Sequence, residues 1–367
     1  MFPVMKSASK INGIAFCCLL AVMLVYSTPK VLSFARAQTD ALSLFLDGRL
    51  LRQLEVSYDS EFILRDGSIR AWADLQYLVF GEGSKGVILG RDGWLFSNEE
   101  YLFPNDYAHA LNQHVQNIAK IEKQLRQHNK RLILMPVPLK LDIYAEHAKR
   151  RVDARTPGLY EDFVARLAER KIETAPVRNA FLDAKDNTPL FLRTDTHWTP
   201  HGASLAAREV ARQHPELIGQ VPYASQQIAG KSYRGDLLNF IQFSDWLTPE
   251  QLREDHIAVF ETTSRKQSVD DSQLFGERSE SIMLVGSSYT KIEDWNFSGF
   301  LKESLQNDLL TTAVEARGPF QAMDDFMKSK QLQNTGIKTV IWEFPVRTLL
   351  AQKPNSNSWQ ATMNQLF

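Results

Sequence analysis

The chain begins with one long apolar block, and the rest alternates between helical and strand-like spacing. Residues 11–29 are uncharged and contain IAFCCLLAVMLVY, with Lys6 and Lys10 just before them. At about 1.5 Å of rise per residue, such a run just spans a hydrocarbon layer roughly 30 Å thick. Basic residues ahead of a short apolar core describe a secretory signal or an uncleaved signal anchor, with the basic end left in the cytoplasm. Ala35-Arg36-Ala37 has the A-x-A form of a cleavage site. It lies well past the apolar core and beyond Pro29, which favours retention as an anchor. The expected organisation is a membrane segment over 1–37 and an exported body over 38–367.

Within the body, VILG and WLF flank Asp92-Gly93, a hairpin signal. Over 110–131, Leu111, Val115, Ile118, Ile121 and Leu125 recur at helical spacing. RLILMPVP follows as a strand that Pro136 and Pro138 should stop. Residues 158–170 read as helix, TAPVRNAF contains a short extended piece, and 203–213 read as helix again. SIMLVGSSY (281–289) and TVIWEFP (339–345) are strands; a helix-like segment and the turn RGPF (317–320) lie between them. This alternation predicts a three-layer α/β domain with a mainly parallel sheet. Ligands then bind at the carboxyl ends of the strands, near Pro136, Ser287–Ser288 and Glu343.

Charge and cysteine content narrow the function. The 42 basic and 43 acidic residues nearly cancel, so the basic excess of a nucleic-acid binder is missing. Both cysteines, Cys17 and Cys18, fall inside the apolar block. The body therefore has neither disulfides nor thiol catalysis, and its size must supply the core.

Two stretches carry candidate chemistry. In RTDTHWTPHGA (193–203), Thr199-Pro200 is an N-cap and first-turn pair. Asp195 and His197 precede it, and residues two apart face the same way in an extended lead-in. An acid beside an imidazole can fix the ring's tautomer and stabilise its protonated form. A metal reading would use Asp195, His197 and His201. Pro200 puts a helix start between the two histidines, and no glutamate holds the second position, so no metal is expected. The blandest reading is a capped helix with two incidental histidines and a packing Trp198. In LVGSSYT (284–290), an apolar strand, a glycine and two serines form a tight exit turn that would lift a serine clear of the sheet. Ser288 is favoured over Ser287, because the preceding small residue can make the turn.

In order, GVILGRDGWLF, PVPLKLDIY, TDTHWT, RGDLLNF, LVGSSYT, WNFSGFL, RGPF and VIWEFPVRTL span residues 80–350. Together they resemble the SGNH-hydrolase-like domain of bacterial exopolysaccharide O-acetyltransferases of the alginate acetylation (AlgJ and AlgX) type. TDTHWT combined with the GSSY turn is the specific part. The resemblance implies an SGNH-like three-layer α/β/α fold with Asp195 and His197 as the D-x-H pair and Ser288 as the nucleophile. Ser288 and Gly318 of RGPF would donate oxyanion N–H groups. The usual SGNH asparagine block is replaced by Trp342-Glu343-Phe344, which leaves the composition of that hole open. The chain ends soon after VIWEFPVRTL, with no room for the C-terminal carbohydrate-binding module of the AlgX type, so the layout is nearer AlgJ or an acetylated-cellulose counterpart. Sugar contacts are then expected from the catalytic domain, with Tyr289, Trp295 and Trp342 as stacking surfaces; core packing is the competing role for these rings.

The expected activity is transfer of acetyl groups to hydroxyls of an exported polysaccharide, alginate or cellulose, without a cofactor. The implied partners are that acceptor, a membrane-bound O-acyltransferase supplying acetyl groups, and other acetylation or export subunits, all at the periplasmic side of the inner membrane. An acetyl esterase with the same three residues, or a non-catalytic polysaccharide-binding subunit, are the alternatives.

Overall fold

The computed structural model describes residues 4–38, 40–80, 83, 86–241, 243–244, 252–264, 282–315 and 320–350. The chain divides into two compact units, residues 1–74 and 75–367. The first holds helices α1 (Val4–Ala37), α2 (Ala41–Leu46), α3 (Arg49–Ser60) and most of α4 (Arg65–Leu75). Residues 10–37 of α1 are long and apolar enough to cross a membrane. Beyond the apolar core, α1 is tied to the end of α3: Tyr26 packs edge-on to Tyr58 and Phe62, and Lys30 pairs with Glu61.

The second unit is organised by a five-stranded sheet in the order β4-β3-β9-β7-β8. These strands are β3 (Arg131–Val137), β4 (Glu173–Thr174), β7 (Ile282–Gly286), β8 (Leu309–Ala313) and β9 (Thr339–Pro345). Every pairing in the sheet is parallel. Helices α5 (Tyr107–Gln127), α7 (Thr156–Glu169) and α12 (Gln321–Lys328) share one apolar cluster with Leu132, Leu134, Met283, Val340, Trp342 and Phe344. Helices α9 (Pro200–Gln213) and α11 (Phe297–Leu305) share the other with Ile133, Met135, Ile282, Leu284 and Ile341. The split follows the strand period of two, which sends alternate residues to opposite faces. Three layers result, as an SGNH-like fold requires. Short α6 (Lys140–Ile143) and α8 (Arg178–Ala184) follow β3 and β4, and α10 (Ser288–Lys291) follows β7.

The expected hairpin is present: β1 (Val87–Leu89) pairs antiparallel with β2 (Leu95–Ser97). Asp92 and Gly93 both take positive φ (55° and 77°) at its tip, where Trp94 N donates to Arg91 O at 2.9 Å and Gly90 N to Trp94 O at 2.7 Å.

Two expectations need correction. Strand β3 runs through Pro136 and stops only at Val137, ahead of Pro138. Leu134 turns its carbonyl towards β4, accepting from Ala175 N, and Pro136 points the same way two residues on. Strand β4 has already ended there, so the missing N–H breaks no ladder bond, and the Pro136 carbonyl accepts from Tyr160 Oη instead. The second correction is an antiparallel ribbon not anticipated from the sequence, β5 (Tyr223–Tyr233) with β6 (Asp255–Ser264). Much of β5 is solvent-exposed, so it lacks the apolar alternation that would have announced it.

Candidate active site

The loop from Leu190 to α9 is closed by its own backbone. Phe191 bridges Trp198, Leu192 N donates to His197 O, and Thr199 N donates to Leu190 O. Thr199 caps α9 as expected, its hydroxyl accepting from Gly202 N at 3.1 Å. Between these clips the chain bends instead of running extended. Asp195 meets His197 because the carboxylate folds over its own loop: Oδ1 accepts from His197 N at 2.8 Å and lies 2.6 Å from His197 Nδ1. This is the Asx-turn habit of aspartate, and it achieves at i, i+2 what an extended segment was expected to do.

The partner of the ring's other nitrogen comes from the sheet. Strand β7 ends at Gly286; Ser287 caps α10 and Ser288 is its first residue. His197 Nε2 lies 2.7 Å from Ser288 Oγ. Asp195, His197 and Ser288 thus form one continuous chain of hydrogen bonds, with Asp195 and His197 buried. Burial would raise the Asp195 carboxyl. The His197 ring and the backbone N–H groups of His197 and Asp236 outweigh it and hold the carboxyl at about 2.

Three buried or half-buried polar residues, with no role read for them in the sequence, complete the site. Asp236 accepts from Thr196 N and Thr196 Oγ1 at 2.8 and 2.6 Å, and its own N–H donates to Asp195 Oδ2 at 2.7 Å. Burial and the neighbouring Asp195 charge push its carboxyl up. Lys140 is fully buried over the Trp94 and Phe96 rings, and its Nζ donates to the carbonyls of Leu95, Arg193 and Asp195 at 2.6, 2.9 and 2.8 Å. Burial depresses its ammonium to about 8. Glu343, fully buried at the end of β9, accepts from Ser287 N at 2.7 Å, Ser287 Oγ at 2.9 Å and Thr290 Oγ1 at 3.0 Å. Burial pushes this carboxyl up, and the Ser287 and Thr290 donors pull it back. The motifs PVPLKLDIY and RGDLLNF contained the signal for Lys140 and Asp236, and the position at a strand's carboxyl end contained it for Glu343.

The three aromatic residues expected to stack on sugar have no free ring face. Trp342 is wholly buried on the α5/α7/α12 side of the sheet, edge-on to Phe320 and Phe344. Strand parity sends it there, opposite to Glu343. Trp295 is also wholly buried, stacked on His197 with centroids 5.8 Å apart. Tyr289 packs 4.7 Å from the His197 ring and donates from Oη to Thr196 O at 2.6 Å. Core packing is therefore the role of all three, and two of them wall the imidazole. Gly318 lies outside the described residues.

Asp195, His197 and Asp236 bring ligand-type atoms within 4.8 Å of one another. The nitrogen that His197 turns to them is the one bonded to Asp195, and Asp195 Oδ2 is taken by Asp236 N–H. The donor set suits a hydrogen-bonded dyad better than a cation. His201, the other histidine of the metal reading, instead sits edge-on to Phe260.

Comparison with known proteins supplies the family. Residues 87–346 match the family described as SGNH hydrolase-like domain, acetyltransferase AlgX. The chain is 33% identical over 349 residues to a probable alginate O-acetylase AlgJ of Pseudomonas putida, covering 92% of this chain and 88% of that one. The Pseudomonas aeruginosa protein of the same description is also 33% identical, over 91% and 88% of the two chains. The solved O-acetyltransferase domain of Pseudomonas putida AlgJ superposes with a TM-score of 0.65 at 30% identity, covering 77% of this chain and 98% of that domain.

Proposed function

Because this chain belongs to the SGNH hydrolase-like acetyltransferase family, we propose that it acetylates hydroxyls of an exported polysaccharide by two displacements at Ser288. The observation that carries this reading is the 2.7 Å contact of Ser288 Oγ with an imidazole already bonded to a buried carboxylate. In the first step Ser288 Oγ attacks the acetyl carbonyl of the donor ester while His197 Nε2 takes the hydroxyl proton. The carbon–oxygen bond to the donor breaks, the leaving oxygen takes that proton from His197, and acetyl-Ser288 remains. In the second step a sugar hydroxyl gives its proton to His197 and attacks the acetyl carbon, and Ser288 Oγ leaves with the proton. The Asp195 carboxylate holds the ring's tautomer and stabilises the imidazolium formed in each step. Backbone N–H groups at Ser288 and, by family resemblance, Gly318 receive the oxyanion.

Alginate is the proposed acceptor, since two of the relatives above are described as probable alginate O-acetylases. The apolar stretch 10–37 supports anchoring in the inner membrane with the catalytic unit in the periplasm. Acetyl-coenzyme A is confined to the cytoplasm, so a membrane-bound O-acyltransferase is the proposed supplier, alongside other acetylation subunits.

The full chain in detergent, given an acetyl ester and either mannuronate or cellulose oligosaccharides, tests the proposal by mass spectrometry of protein and sugar. Acetylated mannuronate and an acetyl-Ser288 adduct are expected, both lost in Ser288→Ala and His197→Ala with activity falling at least ~10³-fold. Free acetate with the correct acceptor present would instead mean an esterase. A wild-type chain that never becomes acetylated would leave a binding subunit.

A further inference from the structure

The turn that carries Ser288 has four backbone N–H groups near the reacting oxygen, and three are already taken. Ser287 N donates to Glu343 Oε2, Tyr289 N to Ser287 Oγ at 3.2 Å, and Thr290 N to Ser287 O at 3.0 Å. Among the described residues, no hydrogen bond takes the N–H of Ser288. The taken groups lead back to one carboxylate. Ser287 Oγ can accept from Tyr289 N because its own proton goes to Glu343, whose oxygens lie 2.9 Å away. Thr290 Oγ1 donates to the same carboxylate from the next turn. Gly286 is shaped by this arrangement as well, since a Cβ there would collide with the Thr290 side chain and crowd Glu343 Oε2.

We propose that Glu343 is a positioning residue for the nucleophile: by binding Ser287 and Thr290 it orients the turn so that the Ser288 N–H alone stays open for the oxyanion. The inference rests on the acetyl-serine reading above. It gives a role to the residue standing where the asparagine block was expected, and to Ser287, the serine not chosen as nucleophile. Glu343 touches neither donor nor acceptor; it acts through Ser287 and Thr290. A carboxylate suits the task because every group facing it here can donate a hydrogen bond. A glutamine in its place offers one accepting oxygen and turns an NH2 group towards those donors.

The experiment is rapid-mixing acetylation of the full chain by p-nitrophenyl acetate, comparing wild type with Glu343→Gln, Ser287→Ala, their double variant and Thr290→Val. A misdirected oxyanion donor costs about 10²-fold, so Glu343→Gln is expected to lower the acylation rate constant by that order while KM moves less than about two-fold. Ser287→Ala should lose about 10-fold or more, and the double variant should be no worse than Glu343→Gln, because the two act as one unit. Thr290→Val removes one donor and should lose only a few-fold. The low-field proton of His197 bonded to Asp195 should persist in the nuclear magnetic resonance spectrum of every variant, which a general loosening of the site would not allow. Wild-type acylation in Glu343→Gln would overturn the proposal, as would multiplying losses in the double variant or loss of the His197 resonance. If Glu343→Gln fails to fold, the split between rate constant and KM in Ser287→Ala decides it. A wild-type chain that forms no acetyl-Ser288 would refute the underlying reading, a result separate from equal acylation in wild type and variant.

Discussion

The loop bearing Asp195 and His197 and the turn bearing Ser288 face each other across 2.7 Å, yet they are held in different ways. The loop is largely self-made: Asp195 binds the backbone and ring two residues ahead, and the Leu192–His197 and Thr199–Leu190 bonds close it. The turn depends on a distant part of the chain, because Glu343 comes from another strand more than fifty residues later. A local acid–base pair can thus be written into one short segment. The pairing of β7 with β9 sets Glu343 beside the Ser287 turn.

The sharpest break on the local side is Asp195→Asn. It keeps the shape but takes away the charge that fixes the His197 tautomer, and it should cut acylation by roughly 10³-fold. The pH dependence has a definite sign. The folded Asp195 carboxyl, at about 2, lies below its ordinary 3.8, so its contribution to stability is complete above pH ~4 and is lost as the pH falls towards 2. A melting-temperature series over that window should show wild type falling more steeply than Asp195→Asn. Equal slopes would mean that the loop does not depend on the ionised carboxylate.

Lys140→Met tests how the self-made loop is fastened to the domain. It strips the buried carbonyls of Leu95, Arg193 and Asp195 of a common donor, which should cost about 2–4 kcal/mol in a denaturant titration. Acylation should drop about 10-fold as the Asp195 backbone shifts, which is less than the loss from Asp195→Asn. Unchanged stability would show that the loop needs no fastening. The smallest effect is expected across the sheet, at Trp342. Trp342→Phe should lower stability by about 1–2 kcal/mol and leave the KM for oligosaccharide as it was. A raised KM would return that ring to the substrate.

Much of the site was legible, and the reasons differ from residue to residue. Asp195, His197 and Ser288 stood in two short motifs, and Thr199-Pro200 announced α9 by cap chemistry that needs no tertiary context. The continuous apolar run at 282–286 and the β-branched and aromatic run at 339–345 marked buried strands for the same local reason. Lys140 and Asp236 were visible only as members of motifs. A buried lysine is recognised by the carbonyls around it, and those belong to residues 45 to 55 positions away. The ribbon β5–β6 was missed because its exposed residues carry no apolar period.

Trp342 and Glu343 show where local information ends. The sequence by itself determined the strand, the alternation of its side chains and the acid–base pair of the loop, because backbone sterics and short-range hydrogen bonds act between near neighbours. Only the tertiary structure decided which face of that strand was core and which met the turn before Ser288. That choice depends on what packs against each face, with α5, α7 and α12 enclosing Trp342 and the Ser287 turn receiving Glu343. The sheet brings Glu343 to the Ser287 turn because parallel β7 and β9 lie side by side although α10, α11, β8 and α12 separate them in the chain.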